Sequence, residues 1–264
     1  MTVNTSSSRA VKRRFPEFIG QPLHDVQLRE VTEESTTRNG SKLPLAAVMG
    51  VRKEDGIVPM EKRLVAADIS RYKLVRNNWF AYNPMRLNIG SIARWQGDSD
   101  VVVSPDYVVF HCLERSTPAA ILPEYLDHFR SSRQWDAFVN EAGDGGVRVR
   151  IYYRDISQLR LILPNAAEQQ KISDCLGSLD DLIAAEGQKL KALRQHKRGL
   201  MQCLFPQPGE TRPRLRFPKF EDAGEWEKST IGERCESFSG GTPDTSMSPY
   251  YGGTIPFIRS AEIG

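Results

Sequence analysis

The sequence lacks any long hydrophobic segment. No apolar run among its 264 residues approaches the roughly 20 that a membrane-spanning helix needs. The opening residues, MTVNTSSSRAVKRR, carry positive charge, but no apolar stretch follows them, so they do not have the pattern of a secretory signal. We therefore expect a disordered, weakly basic leader over residues 1–17 and a protein of the cytoplasm.

Cysteine and histidine are scarce and scattered. The chain has four of each. No two cysteines form a C-x-x-C pair, the spacing typical of zinc sites and redox motifs, and nothing suggests a disulfide framework. The cysteines are Cys112, Cys175, Cys203 and Cys235. These absences favour a reducing compartment and predict that the chain holds no metal.

A strong excess of one charge is also absent. The net charge is only +3, so bulk charge does not indicate a nucleic-acid partner. The distribution is less even, because residues 186–220 contain nine Lys or Arg and two acidic residues. Such a run is often a solvated helix face. Composition leaves open whether it is that or a cationic binding surface.

Residues 18–164 have the pattern of an α+β domain. Short runs rich in β-branched and aromatic residues, such as KLPLAAVMGV and VVVSPDYVVFHCLE, are bounded by Gly, Pro, Asn and Asp and predict strands. One stretch, PEYLDHFRSSRQWDAFVNEAG, instead spaces its apolar residues as a helix does and ends at Gly143. After a GDGG turn, VRVRIYYRDISQLRLILP predicts a return to strand.

The clearest pattern is a heptad repeat over residues 165–205. Apolar side chains recur at alternating steps of four and three, interrupted only by Glu186 and Lys197. Sustained spacing of this kind is typical of a coiled coil. We expect Asn165 or a neighbour to cap a helix of about 39 residues, roughly 58 Å long, that Pro206 ends. The predicted seam comprises Ile172, Leu176, Leu179, Ile183, Leu190, Leu193, Leu200 and Leu204.

The chain repeats its own beginning. RFPEF at residues 14–18 returns as RFPKF at 216–220, 202 positions later. With one residue inserted, Leu28 and Glu30 match Ile231 and Glu233, and Glu33 matches Glu236. A repeat of this length indicates duplicated domains rather than a stacked array. After a linker over 206–219, residues 220–264 therefore predict the opening of a second copy of the first domain.

These motifs carry a resemblance to a known family. A P-x-x-x-E-Q-x-K-I start and a K-x-x-x-L-x-x-x-K-x-G-L-M-Q-x-L-F finish resemble the conserved helix of the specificity (S) subunit of type I restriction–modification systems. YNPMRLNIGSIA, VSPDYVVF and the segment after RFPKF are similar to parts of that family's target-recognition domains. The matching helix positions are Pro164, Glu168, Gln169, Lys171, Ile172, Lys189, Leu193, Lys197, Gly199, Leu200, Met201, Gln202, Leu204 and Phe205.

The resemblance implies a fold and a function. We expect a globular target-recognition domain over 18–164, a long coiled-coil helix over 165–205 and a partial second recognition domain. The implied role is to read one half of a split DNA target and to hold the modification and restriction subunits, with no catalysis by this chain. S-adenosylmethionine, ATP and magnesium are expected only on those partner subunits.

The resemblance also predicts how the chain would pair. Family members normally carry two recognition domains and two such helices, whereas only 49 residues follow from Arg216 onward. We expect a C-terminally truncated member, whose missing half another copy or another protein supplies. Two copies pairing antiparallel through the helix would bring Glu186 near Lys197 across the seam.

Direct readout of bases uses Arg, Lys, Asn and Gln side chains, which here are expected on loops between strands. Each of these candidates has an alternative reading as a solvated loop residue. The predicted DNA contacts are Arg38, Asn39, Lys42, Arg86, Asn88, Arg94, Gln96, Arg148 and Arg150.

Catalytic readings of the sequence find less support. YNP at residues 82–84 lacks the second Pro and the aromatic of the amino-methyltransferase motif, so strand-end and turn chemistry is favoured. SGGTPDTS is not followed by G-K-[ST], so a phosphate-binding loop is not predicted. Three alternatives to the DNA-reading subunit remain open: an enzyme in its own right, a coiled-coil protein-interaction module, and a non-functional truncated remnant.

Overall fold

The structure is a computed structural model, and it describes residues 14–61, 64–114, 119–142 and 150–238, with positions 241, 244, 246, 247, 249, 253 and 254 beyond them. The chain divides into two compact units, Met1–Ala185 and Glu186–Gly264. Among the described residues, no helix is long and apolar enough to cross a membrane.

The described residues of unit 1 contain ten short strands, and the predicted α+β class is confirmed. The bounds of the strands are β1 His24–Gln27, β2 Thr32–Glu34, β3 Val48–Arg52, β4 Gly56–Pro59, β5 Lys73–Val75, β6 Phe80–Tyr82, β7 Ile92–Arg94, β8 Val101–Val103, β9 Val108–Cys112 and β10 Arg160–Leu163.

The α-helices found where the structure describes the chain are α1 Leu28–Val31, α2 Pro123–Phe129, α3 Arg133–Ala142, α4 Tyr153–Ile156, α5 Ala166–Leu204 and α6 Ile231–Arg234. The strands form three sheets, in the orders β1-β10, β2-β9-β6-β7 and β4-β3-β8-β5. All neighbours are antiparallel except β3 and β8.

The β2-β9-β6-β7 sheet separates two clusters of buried side chains. Phe80 and Phe110 point to one face, where their rings stack with centroids 5.0 Å apart. Ala81 and Val109, one position along each strand, belong to the cluster on the other face. This alternation is the period-two pattern of a strand buried on both sides. Trp135 of α3 is buried in the first cluster, so the helices cover that face.

Two predictions about secondary structure need correction. The apolar stretch over 123–142 forms two helices, α2 and α3, because the chain breaks between them and the Ser132 hydroxyl accepts a hydrogen bond from the backbone N–H of Trp135. The strand predicted over 147–164 forms only near its end, as β10, because α4 occupies Tyr153–Ile156; residues 147–149 lie outside the described part of the chain. The start of α4 is fixed by the carboxylate of Asp155, which accepts from the backbone N–H of Tyr152 at 2.8 Å.

The start of α5 is anchored within unit 1. The Asn165 side chain caps the helix by accepting from the backbone N–H of Glu168 at 2.9 Å, as the sequence predicted. Gln169 is fully buried, and its amide joins three backbone groups of the domain. The helix then continues as one element to Leu204, the length that the heptad pattern indicated.

The segment before β1 is more ordered than predicted. Residues 1–13 lie outside the described part of the chain, but Pro16–Phe18 form a 3-10 turn. The Arg14 guanidinium also forms an ion pair with Glu168, both side chains being largely buried. The disordered leader therefore does not extend to residue 17, because the RFPEF motif packs against the helix start.

Unit 2 reproduces local features of the chain's beginning. Pro218–Phe220 form a 3-10 turn like that of Pro16–Phe18. The short helix α6 starts with Thr230 and Glu233 bonded reciprocally. At the start of α1 one of these two bonds is present, in which the backbone N–H of Gln27 donates to the carboxylate of Glu30 at 2.9 Å. The positions matched by sequence thus adopt matching local structure. Elsewhere in unit 2, the rings of Phe205 and Trp226 pack edge to face, with their centroids 6.0 Å apart.

Candidate nucleic-acid interface and helix seam

One loop of unit 1 carries two of the predicted DNA contacts side by side. Arg86 and Asn88 are exposed on the connection between β6 and β7, around a 3-10 turn at Leu87–Ile89. The loop is held in shape because Asn83 accepts from the backbone N–H of Met85 at 3.0 Å, and because Gly90 adopts a φ of 88° that disfavours other residues.

Neighbouring segments add two cations to this loop. Arg150 is exposed next to Ile151, whose backbone N–H donates to the carbonyl of Pro84 at 3.0 Å. Lys53, at the tip of the β3–β4 hairpin, lays its aliphatic chain against Gly90, within 3.2–3.4 Å of where a side chain there would begin. The structure therefore assembles a basic loop cluster of Lys53, Arg86, Asn88 and Arg150.

Lys53 is the member of this cluster that the sequence reading missed. It lies in VRKEDG, a hairpin turn whose glycine adopts a φ of 71°. A basic residue at such a tip is a signal, but the contact with Gly90 depends on the packing of one four-stranded sheet against the other. Lys53 and Asn88 also line a cleft of about 460 Å³ beside α3.

Two predicted contacts, Asn39 and Arg94, serve the domain's own structure. Asn39 is 0% exposed, and its amide both donates to and accepts from the backbone of Leu43, at 3.1 and 2.8 Å. It shapes the turn and does not reach solvent. Asn39 is therefore a wrong prediction, because its side chain satisfies the backbone of its own loop.

Arg94 is enclosed by acidic partners. Its guanidinium pairs with Glu124 at 2.9 Å and Asp127 at 3.2 Å, and it donates to Asn78 at 2.6 Å. The side chain is 12% exposed. The charge is thus neutralised where β7 meets α2, so Arg94 is a structural residue rather than a surface for phosphate or base.

The remaining candidates lie apart from the basic loop cluster in sequence, and the structure places three of them on exposed loops. Lys42 and Gln96 are exposed, and Arg38 is exposed while donating to the carbonyl of Arg71 at 2.6 Å. Arg148 lies outside the described residues. These four stay predictions.

The described residues contain no group of three or more His, Cys, Asp or Glu side chains that could hold a metal ion. Tyr82 of YNP is fully buried in the core, and burial raises the pKa of its hydroxyl far above the usual value. His111 stacks on Trp79 with centroids 4.6 Å apart. The place of Tyr82 at the end of β6 agrees with the strand-end role that the sequence favoured.

The predicted seam of α5 is exposed over most of its length. Six of its eight residues have large exposed fractions, between 37% and 69%. These six define the helix seam: Leu176, Leu179, Ile183, Leu190, Leu193 and Leu200. A heptad stripe on a straight helix drifts by about 20° per heptad, so burying it along its length requires two helices to supercoil left-handedly.

The two terminal positions of the predicted seam have local partners instead. Ile172 is half-buried in a groove of about 290 Å³ with Phe15 and Tyr125. Leu204 is half-buried in unit 2 beside Phe205. The surface available to a partner helix is therefore shorter than predicted, and it also includes Leu182, which is 57% exposed.

Three solved structures are similar to the chain. The crystal structure of the HsdS subunit from Thermoanaerobacter tengcongensis has 20% identity and a TM-score of 0.49, over 74% of this chain and 52% of that one. A structure of the type I R-M system, described in terms of complex assembly and conformational transition, has 18% identity and a TM-score of 0.48, over 86% and 58%. The S subunit of a Type-I restriction-modification system from M. genitalium has 12% identity and a TM-score of 0.44, over 73% and 48%.

All three come from type I restriction–modification systems, as does the family that the sequence motifs resemble. The chain spans between 48% and 58% of the length of these proteins. No protein-family model and no curated protein matches the chain.

Proposed function

We propose that this chain is a DNA-reading specificity subunit of a type I restriction–modification complex. In this role unit 1 reads one half of a split target, and the chain holds modification and restriction subunits without catalysing a reaction. S-adenosylmethionine, ATP and magnesium bind to those partner subunits and not to this chain. The observation that carries the proposal is a folded domain bearing an exposed basic loop cluster, which leads directly into a long helix with an exposed apolar seam.

The basic loop cluster has the chemistry for base and phosphate contacts. Arginine pairs with guanine through two hydrogen bonds, asparagine pairs with adenine in the same way, and lysine neutralises phosphate. Arg86, Asn88, Arg150 and Lys53 supply these groups from three segments that are tied together by backbone hydrogen bonds and packing. Since the segments are ordered, little conformational entropy is lost when they bind.

The helix has the properties of a spacer. A helix rises about 1.5 Å per residue and B-DNA about 3.4 Å per base pair, so a rigid helix pair sets the separation of two reading domains as dimer geometry sets half-site spacing. The helix seam gives that pair its interface. We propose an antiparallel pair of two copies, in which the seams bury one another and Glu186 approaches Lys197 of the partner.

The exposed helix seam also favours a second candidate, a coiled-coil module whose domain binds protein rather than DNA. The two candidates differ in how affinity depends on salt. Counterion release makes DNA binding fall steeply as salt rises, with a slope of about −0.9 per phosphate contact in a double-logarithmic plot. A domain that binds protein would show no such slope with a duplex.

The decisive experiment tests two properties together: whether the chain binds a modification subunit, and whether the resulting complex recognises a DNA target. The chain is co-expressed with a modification subunit, the complex is purified, and methylated sites are mapped in the host genome. A symmetric split target is expected for a homodimer, and an asymmetric one for a different second reader. Failure to co-purify, together with the absence of new methylation, would contradict the proposal and support the remnant or the interaction module.

A further inference from the structure

The two RFP motifs have nearly the same backbone. Phe15 has φ −62° and ψ 140°, and Phe217 has φ −67° and ψ 145°, each preceding a 3-10 turn with proline at its start. The arginines also share one contact: Arg14 donates from Nη1 to the carbonyl of Gln21, and Arg216 donates from Nη1 to the carbonyl of Ala223, both seven positions ahead. The two arginines are therefore held in equivalent local frames.

The remaining nitrogens of the two guanidinium groups, Nε and Nη2, have different partners. In unit 1, Nε of Arg14 donates to Oε1 of Glu168 at 2.8 Å, and Nη2 donates to Oε2 of the same carboxylate. In unit 2, Nη2 of Arg216 donates to the carbonyl of Gly224 at 2.7 Å, while Nε is buried without any hydrogen-bond partner among the described residues. An unpaired buried donor is unfavourable, and a carboxylate is its strongest partner.

The phenylalanines of the two motifs also differ in exposure, and the second motif is again the one that lacks packing partners. Phe15 and Phe18 are half-buried in unit 1, where Phe15 and Ile172 of α5 line one groove. Phe217 and Phe220 are 65% and 53% exposed in unit 2 and line a cleft of about 530 Å³. Exposed side chains change rotamer quickly, so this cleft can open toward the guanidinium.

One residue of the motif reverses its charge between the copies. Glu17 of RFPEF forms an ion pair with Lys171, three residues after Glu168 on α5. Lys219 of RFPKF occupies the corresponding position and is exposed. A helix docking on the second motif as α5 does on the first would therefore place a cation at this position against Lys219, and an acidic residue there is favoured instead.

We propose that Arg216, Lys219 and the apolar cleft of Phe217 and Phe220 form a docking site for the first turns of another α-helix. That helix presents a carboxylate to Arg216 and a second acidic side chain, three residues later, to Lys219. The start of this chain's own α5 is a poor occupant, because its carboxylate is held by Arg14 and Lys171 would face Lys219. The site does not depend on DNA reading by unit 1.

The test uses the full chain and labelled synthetic peptides, with affinity measured by fluorescence anisotropy. The first peptide covers residues 164–185 with Lys171→Glu, the second has the natural sequence, and the third adds Glu168→Gln to the first. We expect the first peptide to bind most tightly and the third about tenfold more weakly, the loss of one charge-assisted pair. Absence of saturable binding by the first peptide would overturn the proposal.

Protein variants locate the binding. Arg216→Gln is expected to weaken the first peptide about tenfold and to remove its advantage over the third. Arg214→Gln, the same change at an exposed neighbour that pairs with Glu210, is the matched control and leaves the affinity unchanged. Equal losses for both variants would indicate general charge attraction and would refute a site at Arg216.

A charge reversal keeps the test informative if Arg216→Gln fails to fold. Lys219→Glu leaves the guanidinium intact and restores the charge of the first motif. It is expected to invert the peptide preference by about threefold each way, so that the natural sequence with Lys171 binds better than the Lys171→Glu peptide. An unchanged preference in this variant would contradict the proposed orientation of the helix.

Discussion

Arg14 and Glu168 lie 154 positions apart in sequence and form a bidentate ion pair, with Nε of the arginine 2.8 Å from Oε1 of the glutamate. The carboxylate side chain is only 2% exposed. The pair fastens the first described residue to the first turn of α5. It gives a structural reason for the glutamate in the P-x-x-x-E-Q motif, and Arg14→Gln should therefore lower the denaturation midpoint by stranding a buried charge.

The glutamine of the same motif gives a prediction with a matched control. Gln169 bonds the carbonyls of Ala120 and Pro164, each at 2.8 Å, and the N–H of Leu122 at 2.9 Å. Gln169→Ala leaves these buried groups unpaired and is expected to reduce the free energy of unfolding by about 3 kcal/mol in urea titrations. Gln170→Ala, which removes an exposed side chain bonded to Asp174, should change it little.

The helix seam predicts concentration-dependent association. Replacing Leu179 and Ile183 by lysine puts charges where apolar contacts would form, and sedimentation equilibrium should show dimer association weakened at least about 100-fold. Gln188→Lys places the same charge on the opposite face of α5 and should leave the association intact. A wild-type chain that stays monomeric at micromolar concentration would contradict pairing of two copies.

The basic loop cluster predicts a change in salt dependence. If Arg86 and Arg150 each neutralise a phosphate, the double alanine variant binds a mixed-sequence duplex more weakly, and its salt slope is shallower by about 2. Arg160→Ala is the control, because this exposed arginine pairs with Asp25 and is absent from the proposed cluster. Wild-type slopes in the double variant would remove both residues from the interface.

Cysteine reactivity gives a prediction about pH. Burial, with a contribution from Glu124, raises the pKa of the Cys112 thiol from 9.0 to about 12. The thiolate is the reactive form, so at pH 8 an alkylating reagent should modify the exposed Cys175 and Cys235 well before Cys112, as mass spectrometry of peptides would show. Labelling in urea, where all four thiols react, is the control.

The same shift fixes the direction of a stability effect. The folded state holds the Cys112 proton more tightly than the unfolded state does. The contribution of this thiol to stability is therefore complete below pH 9 and is lost as pH rises toward 12. Cys112→Ser should make the loss of stability over this range less steep, and an unchanged slope would contradict a raised pKa.

The features that the sequence predicted best depend on regular spacing. The heptad pattern, with a cap near Asn165 and a stop at Pro206, predicted α5 to within one residue at each end, because the repeat is local and long. The repeated RFP motif was equally visible, and its copies share a backbone conformation. Strands such as β8 and β9 followed from runs of valine between turn residues.

The fate of individual polar side chains was harder to predict, because it depends on distant neighbours. Arg94 has the composition of a DNA contact, yet Asp127, 33 positions later, lies beside it in the fold. Lys53 reaches the β6–β7 loop only because the two four-stranded sheets pack together there, where the Ser91 hydroxyl donates to the carbonyl of Val51. The four-residue helix α4 interrupts a stretch predicted as strand, of which only β10 forms, and the single capping carboxylate at its start is a sequence signal too short to outweigh the apolar pattern around it.

The pairing of Arg14 with Glu168 has a consequence for the order in which the protein is made. A ribosome adding about 5–20 residues per second needs roughly 10–30 s to pass from the first of these positions to the second. Strand β1 likewise cannot form its sheet until its pairing partner β10 has been synthesised. A nascent chain paused before residue 160 thus displays an unclosed domain to chaperones and proteases, and translation speed through this stretch sets how long that exposure lasts.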